Sequence, residues 1–191
     1  VVVIRRPVHE EGTSLEEAKR QMDAYRTARP PEDSEADGTG RRFLSMIGMG
    51  MGGAKQLTLE ACEVLERSDI VFGASRMLAD LAPLIREKHQ ETYYQPEKIL
   101  DWLEKNRACQ HAVVVCSGDT GFYSGSSSLM RELKARFGEV ESSPYEVTVY
   151  PGISSVSALA ARFGISWDDA CLASAHGRDC DVAALLKEHE K

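Results

Sequence analysis

The chain has 191 residues, 42% of them hydrophobic and 28% charged, a composition typical of a folded protein and too apolar for a fully disordered one. Its formal net charge of −7, without a dense run of lysine and arginine, argues against a nucleic-acid partner. The longest apolar runs are too short to cross a membrane or to form a secretory signal, so we expect a cytoplasmic protein with no membrane partner.

The first 41 residues are expected to lie outside the main domain. The β-branched run Val1–Ile4 predicts a strand, and Ser14–Arg26 has the capping pattern and apolar spacing of a helix. Residues 29–41, with their prolines and glycines and no apolar face, are typical of a linker. We therefore interpret residues 1–28 as the remnant of a preceding domain.

From residue 42 onward, apolar strands alternate with amphipathic helices. Strands are predicted at Phe43–Ile47, Ile70–Phe72, Ala112–Cys116 and Glu146–Tyr150. Helices are predicted at Thr58–Arg67, Ser75–Ile85, Pro96–Lys105, Ser126–Phe137 and Ser154–Phe163. Because the run 112–116 is almost wholly apolar, it is expected in the middle of a sheet whose two faces are both covered by helices. The predicted fold class is α/β, with a parallel sheet in αβα layers.

This predicted domain comprises residues 42–152. Residues 153–191 are expected to hold the helix that leads out of it and the start of a second α/β domain. That start consists of a strand at Ala170–Ala175 and a helix at Val182–Glu188. Since one strand and one helix do not make a domain, the second domain is expected to be truncated.

Two loops at predicted strand ends combine glycines with polar side chains, where open parallel sheets bind ligands. Gly48–Gly53 is a weak signal because it lacks the spacing of dinucleotide- and phosphate-binding loops, and a plain tight turn is an equal alternative. In Ser117–Ser124, Asp119 can accept hydrogen bonds, and Phe122 and Tyr123 offer apolar walls. The alternative is that Asp119 only caps a turn.

Two further segments are weaker candidates. Pro151–Ser155 places Ser154 or Ser155 at a helix start, where hydroxyls and free amides suit polar ligand atoms. His176 and Arg178 could face an acidic substrate, although such residues are more often solvated or paired locally. No hydrolytic motif is present and the five cysteines lack metal-ligand spacing. We therefore expect no metal site, and a reaction driven by positioning two bound molecules.

Three long stretches follow one another between residues 42 and 179. They read SMIGMGMGGAKQLTLEACEVLERSDIVFGASRML, VVVCSGDTGFYSGSSSLM and YPGISSVSALAARFGISWDDACLASAHGRD. Together they resemble the tetrapyrrole methylase family, in particular its cobalt-precorrin-7 (C5)-methyltransferase branch, called precorrin-6Y C5,15-methyltransferase when fused to a partner domain. The resemblance implies a two-domain α/β enzyme that holds S-adenosylmethionine in a cleft between its domains.

The resemblance also implies roles for individual residues. The cofactor-binding positions are Ser117, Gly118, Asp119, Phe122, Ser154 and Ser155. The substrate-binding positions are Gly48, Gly50, Met51, Gly52 and Arg178. Arg76 is a further candidate for contact with the acidic side chains of the substrate. The implied reaction is methyl transfer to C5 of a precorrin or cobalt-precorrin in cobalamin biosynthesis, with no catalytic base assigned.

The chain departs from the family pattern in places. Many relatives carry proline where Met51 and Thr120 stand; methionine fits this branch, whereas Thr120 is expected to loosen its loop. Family members continue beyond the segment HGR, so the chain as given is expected to bind S-adenosylmethionine weakly or not at all. The first residues, VVVIRRPVHEEGTSLEEA, resemble the end of precorrin-6A reductase, which indicates a fragment of a fusion enzyme.

Alternatives to this function stay open. Another member of the family could act on a different substrate, as in diphthine synthesis or ribosomal RNA 2′-O-methylation, although the acidic net charge disfavours RNA. A non-catalytic interaction module is an alternative from another class. The expected partners are a second copy in a homodimer and a fused or separate C15-methyltransferase/decarboxylase.

Overall fold

A computed structural model describes residues 41–138, 142–168, 170, 172 and 181–188 of the chain. The strand, helix and linker predicted within residues 1–40 lie outside the described residues. So do His176, Arg178 and most of the strand predicted at 170–175.

The described elements alternate between strands and helices from Arg42 onward. The strands are β1 (Arg42–Gly48), β2 (Ile70–Phe72), β3 (His89–Glu91), β4 (His111–Cys116) and β5 (Tyr145–Tyr150). The α-helices are α1 (Leu59–Arg67), α2 (Ser75–Asp80), α3 (Ala82–Ile85), α4 (Pro96–Lys105), α5 (Ser126–Phe137), α6 (Ser155–Phe163) and α7 (Val182–Glu188). A short 3-10 helix, Ala54–Gln56, lies between β1 and α1.

The five strands form one sheet in the order β3-β2-β4-β1-β5. Each neighbouring pair is parallel, so the carboxyl ends of all strands point to the same edge. The prediction of a parallel α/β fold is confirmed. Strand β4 lies at the centre, as its apolar sequence predicted.

Alternate residues of β4 show how the sheet separates two cores. Ala112, Val114 and Cys116 face one cluster, which includes residues of α4 and α5. Val113 and Val115 face a second cluster, which includes residues of α1, α2 and α3. Because side chains alternate along a strand, a continuous apolar run fills both sides of the sheet and produces three layers.

The structure differs from the sequence prediction in two elements. Strand β3 was not predicted, because His89–Glu91 is polar; it pairs with β2 at the edge of the sheet, where its side chains are largely exposed. The helix predicted at Ser75–Ile85 is divided at Leu81 into α2 and α3. Pro83 explains the division, since proline cannot donate the hydrogen bond that would continue α2.

Polar contacts join several elements at the amino end of the sheet. The Arg42 guanidinium donates to the Leu103 carbonyl oxygen (2.8 Å) and the Tyr145 hydroxyl (2.9 Å), and lies 4.7 Å from the centroid of the Tyr145 ring. The Asp69 carboxylate accepts from the His111 backbone N–H at 2.9 Å. These contacts lie at the edge of the sheet opposite to the loops described below. None of the helices in the described ranges is long and apolar enough to cross a membrane.

Candidate functional site

The candidate site lies at the carboxyl edge of the sheet, where β4, β1 and β5 are neighbours. The loops that follow these strands are the β1 loop (residues 49–53), the β4 loop (117–125) and the β5 loop (151–154). Because parallel neighbours end at one edge, the three loops are brought together.

Backbone contact between glycines holds the three loops together. A Cβ atom added to Gly48 would lie 2.6 Å from the Gly152 nitrogen and 2.7 Å from the Gly118 carbonyl oxygen. A Cβ atom added to Gly152 would overlap the Gly118 carbonyl oxygen. Only glycine fits at positions 48 and 152, since a side chain would separate the loops.

The β1 and β4 loops are also joined by a reciprocal pair of hydrogen bonds. The Gly50 N–H donates to the Gly118 carbonyl oxygen (3.1 Å), and the Gly118 N–H donates to the Gly50 carbonyl oxygen (3.0 Å). This is an antiparallel bridge beyond the end of a parallel sheet. Both glycines have positive φ, 65° and 68°, which other residues adopt at a cost.

Asp119 caps the turn of the β4 loop. Its Oδ1 accepts from the Gly121 backbone N–H at 3.0 Å. The side chain is only partly buried, so its second carboxylate oxygen stays available to a ligand. Ser117 is exposed, and a Cβ atom added to Gly118 would meet nothing within 4 Å. Space is therefore open beside this stretch of backbone.

Thr120 does not loosen the β4 loop; that expectation is wrong. Its buried hydroxyl donates to the Tyr150 carbonyl oxygen at 3.0 Å. The Ser126 hydroxyl in turn donates to the Thr120 carbonyl oxygen at 2.7 Å. The threonine hydroxyl thus ties the β4 loop to the end of β5, a role that sequence reasoning missed. The link to the start of α5 is made by the backbone carbonyl of the same residue.

Two aromatic residues form the outer part of the β4 loop. The rings of Phe122 and Tyr123 meet edge to face, with centroids 4.8 Å apart. Phe122 is partly buried, whereas Tyr123 is exposed and has a positive φ of 48°. A positive φ is uncommon at a non-glycine residue, so the backbone at Tyr123 has a conformation that few side chains adopt.

Ser154 and Ser155 stand at the start of α6 in different environments. The Ser154 hydroxyl accepts from the Ser157 backbone N–H at 3.2 Å and therefore serves as the N-cap. Ser155 occupies the first position of the helix and is exposed. The hydroxyl free to meet a ligand is thus the one on Ser155.

The β1 loop is closed by a residue that the sequence did not single out. Gln56 Oε1 accepts from the Met51 backbone N–H at 2.9 Å. Met51 itself is 53% exposed. Gly52 lies near α2, where an added Cβ would be 4.0 Å from Asp80 Oδ2. No local motif marks Gln56 or Thr120, because their roles depend on contacts made in the folded chain.

Arg76 is exposed in the first turn of α2, whereas Arg178 is outside the described residues.

At the end of β4, burial raises the pKa of the Cys116 thiol, and hydrogen bonds with Ser124 and Ser126 oppose this rise in part. Cys116 therefore stays protonated near neutral pH and is a poor nucleophile. Among the residues that the structure describes, no group of three or more His, Cys, Asp or Glu side chains is placed to hold a metal ion.

Family membership follows from a match that covers most of the chain. The model of the family Tetrapyrrole (Corrin/Porphyrin) Methylases matches residues 44–190. The chain belongs to the tetrapyrrole methylase family. All three site loops of this methylase fall within the matched residues.

Two relatives of this methylase are named as precorrin methyltransferases. It is 33% identical over 149 residues to the cobalt-precorrin-7 C(5)-methyltransferase of Salmonella typhimurium, covering 78% of this chain and 68% of that protein. It is 29% identical over 140 residues to the precorrin-6Y C(5,15)-methyltransferase [decarboxylating] of a Sinorhizobium species, covering 73% of this chain and 32% of that protein. The chain therefore spans about two thirds of the first relative and a third of the second.

A solved structure supports the fold. The precorrin-6Y methylase of Archaeoglobus fulgidus superposes with a TM-score of 0.54 at 23% identity, covering 71% of this chain and 66% of that one. At this identity the likeness shows a common fold. The fold and family predicted from the sequence are confirmed, and the activity of this chain is proposed below.

Proposed function

We propose that this methylase transfers a methyl group from S-adenosylmethionine to C5 of a precorrin or cobalt-precorrin during cobalamin biosynthesis. The observation that carries the proposal is the contact of three glycine-containing loops at one sheet edge, inside a chain of the tetrapyrrole methylase family. The choice of C5 rests on the names of the relatives that the chain resembles.

The β4 and β5 loops fit the proposed cofactor. Open space beside the Gly118 backbone allows close approach, and Ser117 and Asp119 offer polar atoms there. The exposed Ser155 stands at the start of α6, whose free N–H groups favour a carboxylate. In our proposal Phe122 supplies an apolar wall, and Ser154 fixes the helix start through its cap.

The β1 loop is proposed to meet the tetrapyrrole. Gly48, Gly50 and Gly52 bring backbone to the carboxyl edge, and Met51 adds an exposed apolar side chain. Cationic side chains are needed for the acidic groups of the substrate. We assign this role to Arg76 and to Arg178, which stays a sequence prediction.

Catalysis in this proposal depends on alignment. When bound, S-adenosylmethionine supplies an electrophilic methyl group on a sulfonium centre. The β1 and β4 loops, joined through Gly50 and Gly118, hold the substrate face and the cofactor face at a fixed separation. The ring carbon is made nucleophilic by the electrons of the macrocycle itself, so the chain's residues orient the reactants and exclude water.

The proposal extends to organisation and location. Residues 1–28 would belong to a preceding reductase-like domain, 29–41 to a linker, 42–152 to the first methylase domain and 153–191 to the start of the second. We further propose a homodimer, a fused or separate C15-methyltransferase/decarboxylase as partner, and a cytoplasmic location.

The test is methylation by the full-length protein with S-adenosylmethionine that carries a 13C-labelled methyl group. We expect one new methyl resonance on C5 of the precorrin or cobalt-precorrin product. A label on another ring carbon would show that the protein methylates a position other than C5, as other members of the family do. The absence of any transfer would favour a non-catalytic module.

Cofactor roles are tested by Asp119→Asn, which keeps an oxygen for the turn, and Ser155→Ala. Each is expected to raise the Kd for S-adenosylmethionine by roughly 3- to 10-fold, the effect of one lost hydrogen bond. Asp168→Asn, a change at an exposed carboxylate beyond α6, is the control. Equal Kd values in all three variants and the wild type would remove Asp119 and Ser155 from the site.

A further inference from the structure

Gln56 closes the β1 loop from two sides. Its side-chain Oε1 accepts from the Met51 backbone N–H at 2.9 Å, and its own backbone N–H donates to the Gly53 carbonyl oxygen at 3.1 Å. The loop between these contacts contains Gly52 and Gly53, both with positive φ. A loop with two such glycines has many conformations open to it, so the side chain of Gln56 selects one of them.

Gln56 also lies beside Gly50, the residue through which the β1 loop meets the β4 loop. A Cβ atom added to Gly50 would lie 3.4 Å from both the Cβ and the carbonyl oxygen of Gln56. Gly50 is the residue that exchanges two hydrogen bonds with Gly118. The loop is thus fixed at one end by this bridge and at the tip by Gln56.

Met51 lies at that tip, with its backbone N–H bonded to Gln56 and 53% of the residue exposed. An exposed methionine on a fixed backbone offers an apolar, polarizable thioether that suits the flat face of a conjugated ring. The Met51 N–H is near the surface, so water can replace Gln56 as its partner. Loss of the glutamine should therefore alter the direction of Met51 more than the stability of the fold.

We propose that Gln56 is a positioning residue, which fixes Met51 against the face of the bound tetrapyrrole. This inference rests on the proposed function, because it requires a tetrapyrrole at the β1 loop. Gln56 acts through Met51 and is not expected to contact the reacting atoms.

The test compares Gln56→Leu, which removes the acceptor at similar size, with Gln56→Glu, which keeps an oxygen acceptor. In the full-length protein, Gln56→Leu should raise the KM for the tetrapyrrole roughly 5-fold, with kcat and the Kd for S-adenosylmethionine within about 2-fold of wild type. Gln56→Glu should restore KM to within about 2-fold. The melting temperature should stay close to wild type in both.

Gln90→Leu is the matched control, since Gln90 in β3 donates a comparable hydrogen bond to the Ile85 carbonyl oxygen. Met51→Ala and the double variant with Gln56→Leu complete a cycle. If Gln56 acts through Met51, the double variant should raise KM no more than Met51→Ala alone. Additive effects, or an unchanged KM in Gln56→Leu, would overturn the inference.

Failure of the proposed function gives a different result. A wild-type protein that neither binds nor methylates a tetrapyrrole removes the proposed function, and the inference falls with it. A wild-type protein that binds the tetrapyrrole, beside a Gln56→Leu variant that binds it equally well, removes only the inference.

Discussion

Gly48 and Gly152 are required for a reason other than a turn, because neither has a positive φ. Their backbones touch each other and the Gly118 carbonyl oxygen. Gly152→Ala places a methyl group into this contact, and overpacking of this kind costs about 1–3 kcal/mol. We expect a matching loss in the free energy of unfolding measured with urea.

Gly125→Ala is the control for this substitution. A Cβ atom at Gly125 would meet nothing within 4 Å, and its φ is −65°. Its stability should change by no more than about 0.5 kcal/mol. Equal stability of the two variants would show that the loops separate without cost.

The partly buried thiol of Cys109 is expected to make the free energy of unfolding depend on pH in the alkaline range. Burial, and secondarily the negative charge of Asp69, raise the pKa of its thiol from 9.0 to about 11, while Arg42 and a hydrogen bond from the backbone of His111 lower it. A raised pKa in the folded state means that the neutral thiol is favoured by folding. Its contribution to stability is complete below pH 9 and is lost as pH rises toward 11.

We therefore expect Cys109→Ala to flatten the decline of unfolding free energy between pH 9 and 11, measured by urea titration at several pH values. Tyr145, whose pKa burial also raises, titrates in both proteins and so cancels in the comparison. Parallel pH profiles for the two proteins would contradict a shifted thiol.

Residues at the site differ in how far the sequence could predict them. The glycines and serines of the three loops follow strands and begin helices, so local pattern and family resemblance were enough to select them. Gln56 and Thr120 carry no local signal. Thr120 was even misjudged, because its partner Tyr150 lies 30 residues away and meets it only in the folded chain.

At the scale of elements, a charged cluster joins α4 to α5. The Arg136 guanidinium lies 2.8 Å from Asp101 and 3.5 Å from Glu104 of α4, and 3.1 Å from Glu132 of its own helix. Arg136→Met should lower stability by about 0.5–1 kcal/mol at low salt and by less at 1 M NaCl, because salt screens partly exposed pairs.

Arg131→Met provides the comparison, since Arg131 donates to Ser128 within α5 and does not bridge the two helices through that contact. The measurement is urea unfolding at both salt concentrations. A loss in Arg136→Met that does not depend on salt would assign the effect to packing of the side-chain stem.

The elements themselves were largely predictable, and their exceptions have physical reasons. The position of β4 followed from its apolar run, since only a strand covered on both faces can bury such a sequence. Strand β3 was missed because an exposed edge strand needs no apolar pattern. The boundary between α2 and α3 depends on Pro83, whose consequence was not drawn from the sequence.

At the scale of the whole molecule, the described part of the chain after β5 exposes several large apolar side chains. Between residues 153 and 167 they are Ile153, Leu159, Phe163, Ile165 and Trp167, each at least 44% exposed. Exposed apolar side chains that form a contiguous patch promote self-association, and Leu159 and Phe163 stand four residues apart on α6, the spacing that places two side chains on one face of a helix. The double variant Leu159→Gln, Phe163→Gln should therefore associate less than wild type in sedimentation velocity experiments, with little change in melting temperature.

Leu59→Gln is the matched control, because Leu59 is 83% exposed but begins α1. It should leave the association unchanged. If all variants sediment like the wild type over a range of concentrations, the exposed side chains on α6 do not cause association.

The bridge between Gly50 and Gly118 has a thermodynamic consequence for two ligands. We expect a compound that shifts the β1 loop to shift the β4 loop as well, since two hydrogen bonds join their backbones. If binding of the first compound changes the affinity for the second by some factor, binding of the second changes the affinity for the first by the same factor. Under the proposed function, the affinity for the methyl donor would therefore depend on whether the acceptor is bound, and the reverse, before any bond is made or broken.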